Sequence, residues 1–402
     1  MNTYNSYKYS GQQWLGEIPE HWEMIAGKSL FKENKKKNSN NRETCVLSLS
    51  YGKIIVKKDK NEGLVPENYS AYQIVDPGNI IIRCTDLQND KVSLRTGYVN
   101  DHGIISGAYL GLIPSTSNDS RFLHLLLYNW DITKELYRYG TGLRQSLSWN
   151  DLKYLRLPIP PLQEQKKIVE YVDSLTTQID RAIAQSQRMI DLLNERKQII
   201  IQHAVTHGLD PNPDLVDSGV EWIGKVPRGW RVMPLKRCAK INNGRDYKHI
   251  ASSYGYPVFG SGGQFAYAKN YMYDGEVVLF GRKGTIDKPL YFNGKFWTVD
   301  TMFYAVTDEK LDTKYLYYQA QSFPFKLYST STALPSMTQT DLGNNKICLP
   351  NKEEQLEIVN YIESQLNPIS KVVHSYENKI ALLRERKQII INEVVTGKVK
   401  VS

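Results

Sequence analysis

The chain has 402 residues, 41% hydrophobic and 23% charged, with mean hydropathy −0.46, an ordinary globular composition with room for roughly two to four cored domains. No apolar run approaches the roughly 18 residues of a membrane helix, and the opening "MNTYNSYKYSGQQW" lacks the basic and apolar regions of a signal peptide, so a cytoplasmic protein is expected. The four cysteines are scattered and read as buried free thiols rather than a zinc or disulfide framework, while a net charge of +9 favours polyanionic partners.

In chain order the first marked element is a box, "SGQQWLGEIPEHW" (10–22). The insert behind it carries short β-rich runs such as "NIIIRC" (79–84), bounded by glycine, asparagine and aspartate, and one helical stretch, "SRFLHLLLYNWDITKELYRY" (120–139). From Gly27 to Lys60 it has ten Lys/Arg against three Asp/Glu. A polar loop, "YGTGLRQSLSW" (139–149), and a rigid Pro160-Pro161 then lead into a long helix. Its Ile168, Val172, Leu175, Ile179, Ala182, Met189, Leu193, Ile200 and Ala204 follow the three- and four-residue spacing of a coiled coil.

The plan then repeats. A second box, "SGVEWIGKVPRGW" (218–230), matches the first at an offset of 208, with Trp14 over Trp222 and Trp22 over Trp230. The second insert holds "EVVLFGRKG" (276–284), "FWTVDTMFYAV" (296–306), read as one β-rich run, and a helical "DTKYLYYQAQSF" (312–323). Between Arg231 and Lys295 it has eleven Lys/Arg against four Asp/Glu. The closing helix carries "LLRERKQIII" (382–391), nine residues of ten identical to "LLNERKQIII" (192–201) at an offset of 190. Its stripe is Ile358, Ile362, Ile369, Val372, Leu383, Ile390 and Val394. Each helical region of about 40 residues spans roughly 60 Å, and its stripe needs a cover. The other copy is the natural one, with Ile168, Val172, Ile179, Leu193 and Ile200 pairing with Ile358, Ile362, Ile369, Leu383 and Ile390. Pro368, behind a possible N-cap at Asn367, predicts a kink or restart.

The two offsets differ by 18 residues, and the inserts share little identity. The expected organisation is a constant frame around two variable, mixed α/β inserts with twisted sheets. Its segments are a box (1–23), an insert (24–157), a helix (158–206), a linker with the second box (207–231), an insert (232–347) and a helix (348–402). The alternation of units places the end of the last helix near the first box.

Catalytic equipment is not found. The only Pro-Pro is 160–161, so no N/D-P-P-aromatic methyltransferase loop exists, and "FGSGG" (259–263) has the wrong spacing for a nucleotide-cofactor turn. "GRKGT" (281–285) is not a phosphate loop. Glu195-Arg196-Lys197 and Glu385-Arg386-Lys387 could imitate a nuclease E-x-K, but they sit in long helices, where surface ion pairing is the better reading. The histidines form no ligand spacing, and no metal is expected.

What remains are candidate DNA readers. In the first insert these are Lys35 and Lys36 of "KENKKKNSNNR" (32–42), Lys53, Lys57, Arg83 and Arg95. In the second they are Arg245, Tyr247 and Lys248 of "NNGRDYKH" (242–249), Ser261, Gly262 and Gly263, and Arg282, Lys283 and Lys288 of "FGRKGTIDK" (280–288). Arg144 and Gln145 lie in the loop before the first helix, Ser331 and Thr332 in the loop before the second. Glycines let backbone amides approach phosphate, and arginine can fork onto guanine O6 and N7. For any single member a solvated surface role stands beside DNA contact; the argument attaches to the loops as groups. A coiled-coil adaptor with two protein-binding modules is the alternative reading.

The two boxes, the "P-x-x-E-Q…I-V-x-Y" helix starts, the "E-R-K-Q-I-I-I" ends and "GRKGTIDKPLYFNGKFWTVDT" (281–301) together resemble the specificity (S) subunit of type I restriction–modification systems, over essentially the whole chain. The resemblance implies an α+β fold with two target recognition domains separated by two long antiparallel helices about a pseudo-two-fold axis. It implies that each domain reads half of a bipartite double-stranded DNA target, and that the helices set the spacing and dock two modification (M) subunits. S-adenosylmethionine, ATP and Mg would then belong to those and to two restriction (R) subunits, with no cofactor, catalytic residue or membrane contact in this chain. Departures are Pro368, and Leu334-Pro335 where the first loop has Arg144-Gln145.

Overall fold

The computed structural model describes residues 3–57, 68–87, 90, 92–139, 146–328 and 335–401. The chain divides into two compact units, Met1–Gln185 with Lys379–Ser402, and Ser186–Asn378. The first long helix, Leu162–His207, begins in the first unit and ends in the second; the other, Lys352–Val395, does the reverse. The two run antiparallel. In the first unit Lys387 Nζ lies 2.7 Å from both carboxylate oxygens of Asp180. In the second, Lys197 Nζ donates to Ser370 Oγ at 3.2 Å.

The buried register begins at Gln165, Ile168, Val172, Thr176 and Ile179, and its counterpart at Gln355, Ile358 and Ile362. Ile390 is buried, while Leu193, Ile200, Ile369 and Leu383 are half-buried. Met189 and Val372, counted into the stripe from sequence, are 40% and 45% exposed. From Ile179 the alternation of four and three lands on Ile183, Ser186 and Ile190, and the polar Ser186 disguises the register in the sequence. No restart occurs at Pro368, because one helix, Lys352–Val395, runs through it. Pro368 and Ser364 are both exposed, so the carbonyl that loses its intrahelical donor can meet water.

In the first unit a four-stranded antiparallel sheet runs in the order Phe31–Glu33, Leu110–Pro114, Ile80–Ile82, Thr96–Tyr98. Helix Ser120–Ile132 buries Phe122, Leu123, Leu126 and Trp130 in the core that also holds Ile80, Ile82 and Leu112. A hairpin, Leu47–Ser50 with Lys53–Val56, packs through Leu47 and Ile54 against Val75, Ile81, Val99 and Ile105.

In the second unit a seven-stranded mixed sheet runs Ala239–Asn243, Met302–Thr307, Tyr273–Gly281, Leu290–Thr298, Tyr256–Gly260, Gly263–Ala268, Ala251–Ser252. Alternate residues of Tyr273–Gly281 enter two cores: Val278 and Phe280 with Tyr315 and Leu316 of helix Thr313–Ala320, Val277 and Leu279 with Phe259 and Phe296. The run 296–306, read as one β segment, is two strands parted by a turn at 299–301.

The frame repeats in both units with the same bonds. Tyr7–Tyr9 pairs with Glu17–Pro19, and Leu215–Asp217 with Lys225–Pro227. Strand Glu23–Ala26 pairs with Arg156–Ile159, and Arg231–Pro234 with Lys346–Leu349. The box tryptophans donate to the helix starts, Trp22 Nε1 to Glu164 at 3.1 Å and Trp230 Nε1 to Glu354 at 3.0 Å. The next residue is a buried glutamine. Gln165 accepts from the Asp119 amide at 2.8 Å and donates to the Pro160 carbonyl at 2.9 Å. Gln355 does the same with the Asp312 amide (2.7 Å) and Pro350 carbonyl (3.0 Å). Asp119 and Asp312 in turn cap the insert helices, accepting from the Phe122 and Tyr315 amides. The E-Q of each helix start is thus a clasp between box, long helix and insert. After the second long helix, Gly397 takes φ +75°, and a Cβ there would fall 2.4 Å from Pro19 Cδ, so the chain beyond the helix lies against the first box.

Candidate nucleic-acid interface

In the second unit the backbone of 298–303 gathers several segments at one end of the sheet. Gly244 N donates to Met302 O (3.1 Å) and Arg245 N to Thr298 O (2.8 Å). Arg282 N and Lys283 N both donate to Thr301 O, at 2.8 and 3.3 Å. Val299 N donates to Phe259 O, which brings in the turn at Ser261, Gly262 and Gly263. A Cβ at Gly244 would lie 2.0 Å from Val299 O, so only glycine allows the first of these approaches. Arg245, Lys248, Lys283 and Lys288 are exposed, and Tyr247 and Arg282 half-exposed. Tyr247 meets Phe265 edge-on at 5.4 Å. Among the described residues, the lysine and arginine ion pairs of this unit use Arg228, Lys314 and Lys352 instead. A cluster of cations without carboxylate partners beside glycine turns can bind a polyanion through phosphate contacts and present arginine forks to bases. Lys288 belongs to the same 282–289 loop but makes none of these bonds to the 298–303 segment.

Sequence reasoning missed the supports of this cluster. Trp297 Nε1 donates to Arg245 O at 2.9 Å, and Gln339 Nε2 donates to Ile241 O at 2.8 Å. Asn243 Nδ2 donates to Gln339 at 3.3 Å. Nothing in the local sequence joins 243, 297 and 339; the sheet order does. The loop before the second long helix joins the same end, with Met337 N donating to Arg282 O at 2.9 Å.

The first unit repeats that junction, since Leu147 N donates to Cys84 O at 2.9 Å. Its cations differ. Lys35 pairs with Glu33 (3.4 Å) and Lys36 with Asp76 (3.8 Å), both lysines exposed. Lys53 and Lys57 are exposed on and just after the hairpin. Arg83 is half-buried and paired to Asp90 at 2.5 Å; hydrogen bonds led by the Ser93 amide hold that carboxyl well below the usual range. Arg95 is corrected outright, because it is fully buried. Its guanidinium donates to Tyr137 Oη (3.1 Å) and to the carbonyls of Thr85 (2.7 Å), Asp86 (3.0 Å) and Asp90 (2.6 Å). With a fifth N–H on the Arg83 carbonyl (3.3 Å), it ties Arg83, Thr85, Asp86 and Asp90 together and has no donor left for DNA. Asp131, beneath it, accepts from the Arg95 and Thr96 amides while burial pushes its carboxyl upward. Arg144, Gln145, Ser331 and Thr332 lie outside the described residues.

Both E-R-K triplets lie within the long helices and on no strand. Among the described residues no group of three or more His, Cys, Asp or Glu could hold a metal ion, and no helix is long and apolar enough to cross a membrane.

The family described as "Type I restriction modification DNA specificity domain" matches twice, over residues 19–187 and 227–388. The chain belongs to this family of type I specificity subunits. Among curated relatives of this specificity subunit, the type I restriction enzyme MjaX specificity subunit of Methanocaldococcus jannaschii is 24% identical, with 96% of each chain covered. The MjaVIII specificity subunit of the same organism is 24% identical over 65% of this chain and 66% of its own. A chain solved in work on complex assembly and conformational transition of the type I R-M system shares 18% identity, with a TM-score of 0.69 over 95% of this chain and 99% of that one. At that identity the likeness carries the fold alone.

Proposed function

We propose that this specificity subunit is a non-catalytic address module. Each insert reads one half of a bipartite double-stranded DNA target, and the paired helices set the gap between the halves. The helices also dock two M subunits, and the complete complex adds two R subunits. S-adenosylmethionine, ATP and Mg belong to those partners, adenine N6-methylation and ATP-dependent cleavage are theirs, and the assembly works in the cytoplasm. The domain limits are those of the repeat: inserts at 24–157 and 232–347, spacers at 158–206 and 348–402.

The observation that carries this reading is the duplicated clasp. Trp22–Glu164 with Gln165–Asp119, and Trp230–Glu354 with Gln355–Asp312, hold two unlike inserts by the same bonds. A constant frame around two different faces suits a target of two unlike halves and a partner that binds twice. The apolar residues left in water support the second half of that argument. Leu192 and Ile199 are exposed in one copy, and Leu382 and Ile389 at the equivalent places in the other, an apolar pair seven residues apart repeated on each helix.

Single-molecule mapping of methyladenine, in cells with and without the gene, tests the reading. The expected motif has two half-sites and a fixed gap. Inserting four residues into each long helix at matched register positions should lengthen that gap and leave both half-sites unchanged. An unchanged gap, with the variant folded and active, refutes the ruler.

A further inference from the structure

The hairpin of the first unit ends in an unusual turn. Ser50 pairs with Lys53, so Tyr51 and Gly52 alone make the bend. Their φ values are +48° and +75°, the left-handed pair of a two-residue hairpin turn, in which asparagine, aspartate or glycine is favoured at the first position. A tyrosine there crowds its Cβ against the backbone. The ring gains nothing inside the fold in return, because Tyr51 is 92% exposed. Strain held at a surface tip without packing is the pattern of a functional contact.

The tip is also held in place. A Cβ on Gly97 would stand 2.7 Å from Leu49 Cδ1 and 2.8 Å from Ile54 Cδ1, so the hairpin lies tightly on the Thr96–Tyr98 strand. Gly52 rests on Leu94, whose Cβ and Cδ1 are 3.0 Å from the position a Cβ would take. Leu94 precedes the buried Arg95, whose carbonyl receives the Arg83 amide at 2.8 Å. Arg83 in turn adjoins Cys84, where the loop before the first long helix attaches. That junction matches the Arg282–Met337 junction of the second unit. The tip of the hairpin therefore stands at the sheet end that corresponds, in its own unit, to the basic cluster of the other. Lys53 follows the tip, and Lys57 follows the hairpin; both are exposed.

We propose that Tyr51 is a specificity-determining residue of the first reader. The 47–56 hairpin enters the DNA major groove as a two-stranded ribbon, Tyr51 packs its ring on base edges of one half-site, and Lys53 and Lys57 meet the flanking phosphates. This assignment rests on the two-reader reading above. The groove admits a β-ribbon, and base-edge contacts carry sequence whereas phosphate contacts carry only position.

The strained turn makes the test unusually clean, because Tyr51→Asn changes stability and recognition in opposite directions. Asparagine before Gly52 is the favoured pair for such a turn, so the variant should melt at a higher temperature than the native chain. In the complex with its methyltransferase subunits it should lose discrimination at one or two base pairs of a single half-site. Its preference for target over unrelated DNA should fall on the order of tenfold or more. Lys53→Ala should weaken target and unrelated DNA alike and flatten the salt dependence by about one phosphate contact. Arg282→Ala, in the other unit, is the reference and should degrade the other half-site.

If Tyr51→Asn methylates the unchanged motif while Arg282→Ala degrades one half-site, the assignment of Tyr51 is overturned and the two-reader reading stands. If neither variant alters a half-site, the reading of these sheet ends as DNA surfaces falls, and Tyr51 with it. A lower melting temperature for Tyr51→Asn overturns the premise that the ring is held at a cost.

Discussion

Replacing Gln355 by leucine should loosen the second insert from its helix without touching any proposed DNA contact. Gln355 is fully buried. Its side chain accepts from the Asp312 amide (2.7 Å) and donates to the carbonyls of Lys310 (2.8 Å) and Pro350 (3.0 Å). Leucine fills similar volume but strands all three groups. A buried group left unsatisfied costs about 1–3 kcal/mol. Pro350 is buried, so its carbonyl bears most of that cost; Lys310 is exposed and Asp312 half-exposed, so their groups can recruit water. The net loss should be about 3 kcal/mol. Gln365→Leu, on an exposed turn of the same helix, should stay within about 0.5 kcal/mol. Urea unfolding of the whole chain gives the size of the effect, and amide hydrogen exchange over 308–323 gives its place. The reasoning fails if Gln355→Leu costs less than about 1 kcal/mol and the Asp312 amide stays as protected as in the native chain.

Three further outcomes follow from the geometry. Gly397→Ala should destabilise the first unit by about 2 kcal/mol or more, since φ is +75° and the new Cβ meets Pro19 at 2.4 Å; Gly219→Ala, at φ +68° in open space, should cost about 1 kcal/mol in the same thermal melts. Arg95→Met should cost several kcal/mol, on the order of 3–5, by stranding the carbonyls of Thr85, Asp86 and Asp90, whereas Arg245→Met should leave the melting temperature unchanged and weaken retention on DNA. Burial, aided by the Arg121 guanidinium, pushes the His124 imidazole down to about 3. The unfolded chain therefore takes up a proton near pH 6.5 that the folded unit refuses, and stability falls as pH drops from 6.5 towards 3. Between about pH 6.5 and 5 the excess loss over a His124→Gln variant should be about 2 kcal/mol in urea titrations.

The frame was legible because duplication wrote it twice. The offset of 190 pairs Gln165 with Gln355 and Ile168 with Ile358 in the sequence alone, and in the fold each member of a pair is buried at the start of its own long helix. What each residue does was less legible. Glu164 and Gln165 look like ordinary helix-surface residues, and only burial against the box and insert shows a clasp. Arg95 shows the same limit from the other side. A strand-edge arginine in a basic insert reads as a DNA contact, yet Asp131, an acid inside the apolar run "FLHLLLYNWDI", hinted that a polar network lay beneath it. The seven-stranded order escaped the sequence altogether, because its parallel pair joins Val258 to Trp297 across two intervening strands. The Arg245–Arg282 cluster depends on that order, so its members could be named singly but not as a group.

The repeated frame also decides where the chain can be cut. In the first unit the residues after the second long helix return to the beginning: Tyr7 Oη donates to Lys398 O at 3.5 Å, and Lys400 Nζ lies 6.0 Å from the Tyr4 ring. A linker of a few residues can therefore join residue 401 to residue 3. The bend at 208–214 is the matching place between the copies. Gly208 takes φ +75° after the first long helix as Gly397 does after the second, and the strand at Leu215–Asp217 opens the second box as Tyr7–Tyr9 opens the first. A permutant that opens between Asp210 and Asp214 thus starts and stops at the places the repeat itself provides. Its cut severs none of the four clasp bonds of Glu164, Gln165, Glu354 and Gln355. It should fold with a melting temperature within a few degrees of the native chain and direct methylation to the same motif. Opening instead between Asn367 and Ser370 breaks the second long helix in mid-run and should abolish assembly. If both permutants behave alike, folded and active or folded and inactive, continuity of the long helices is not what the frame depends on.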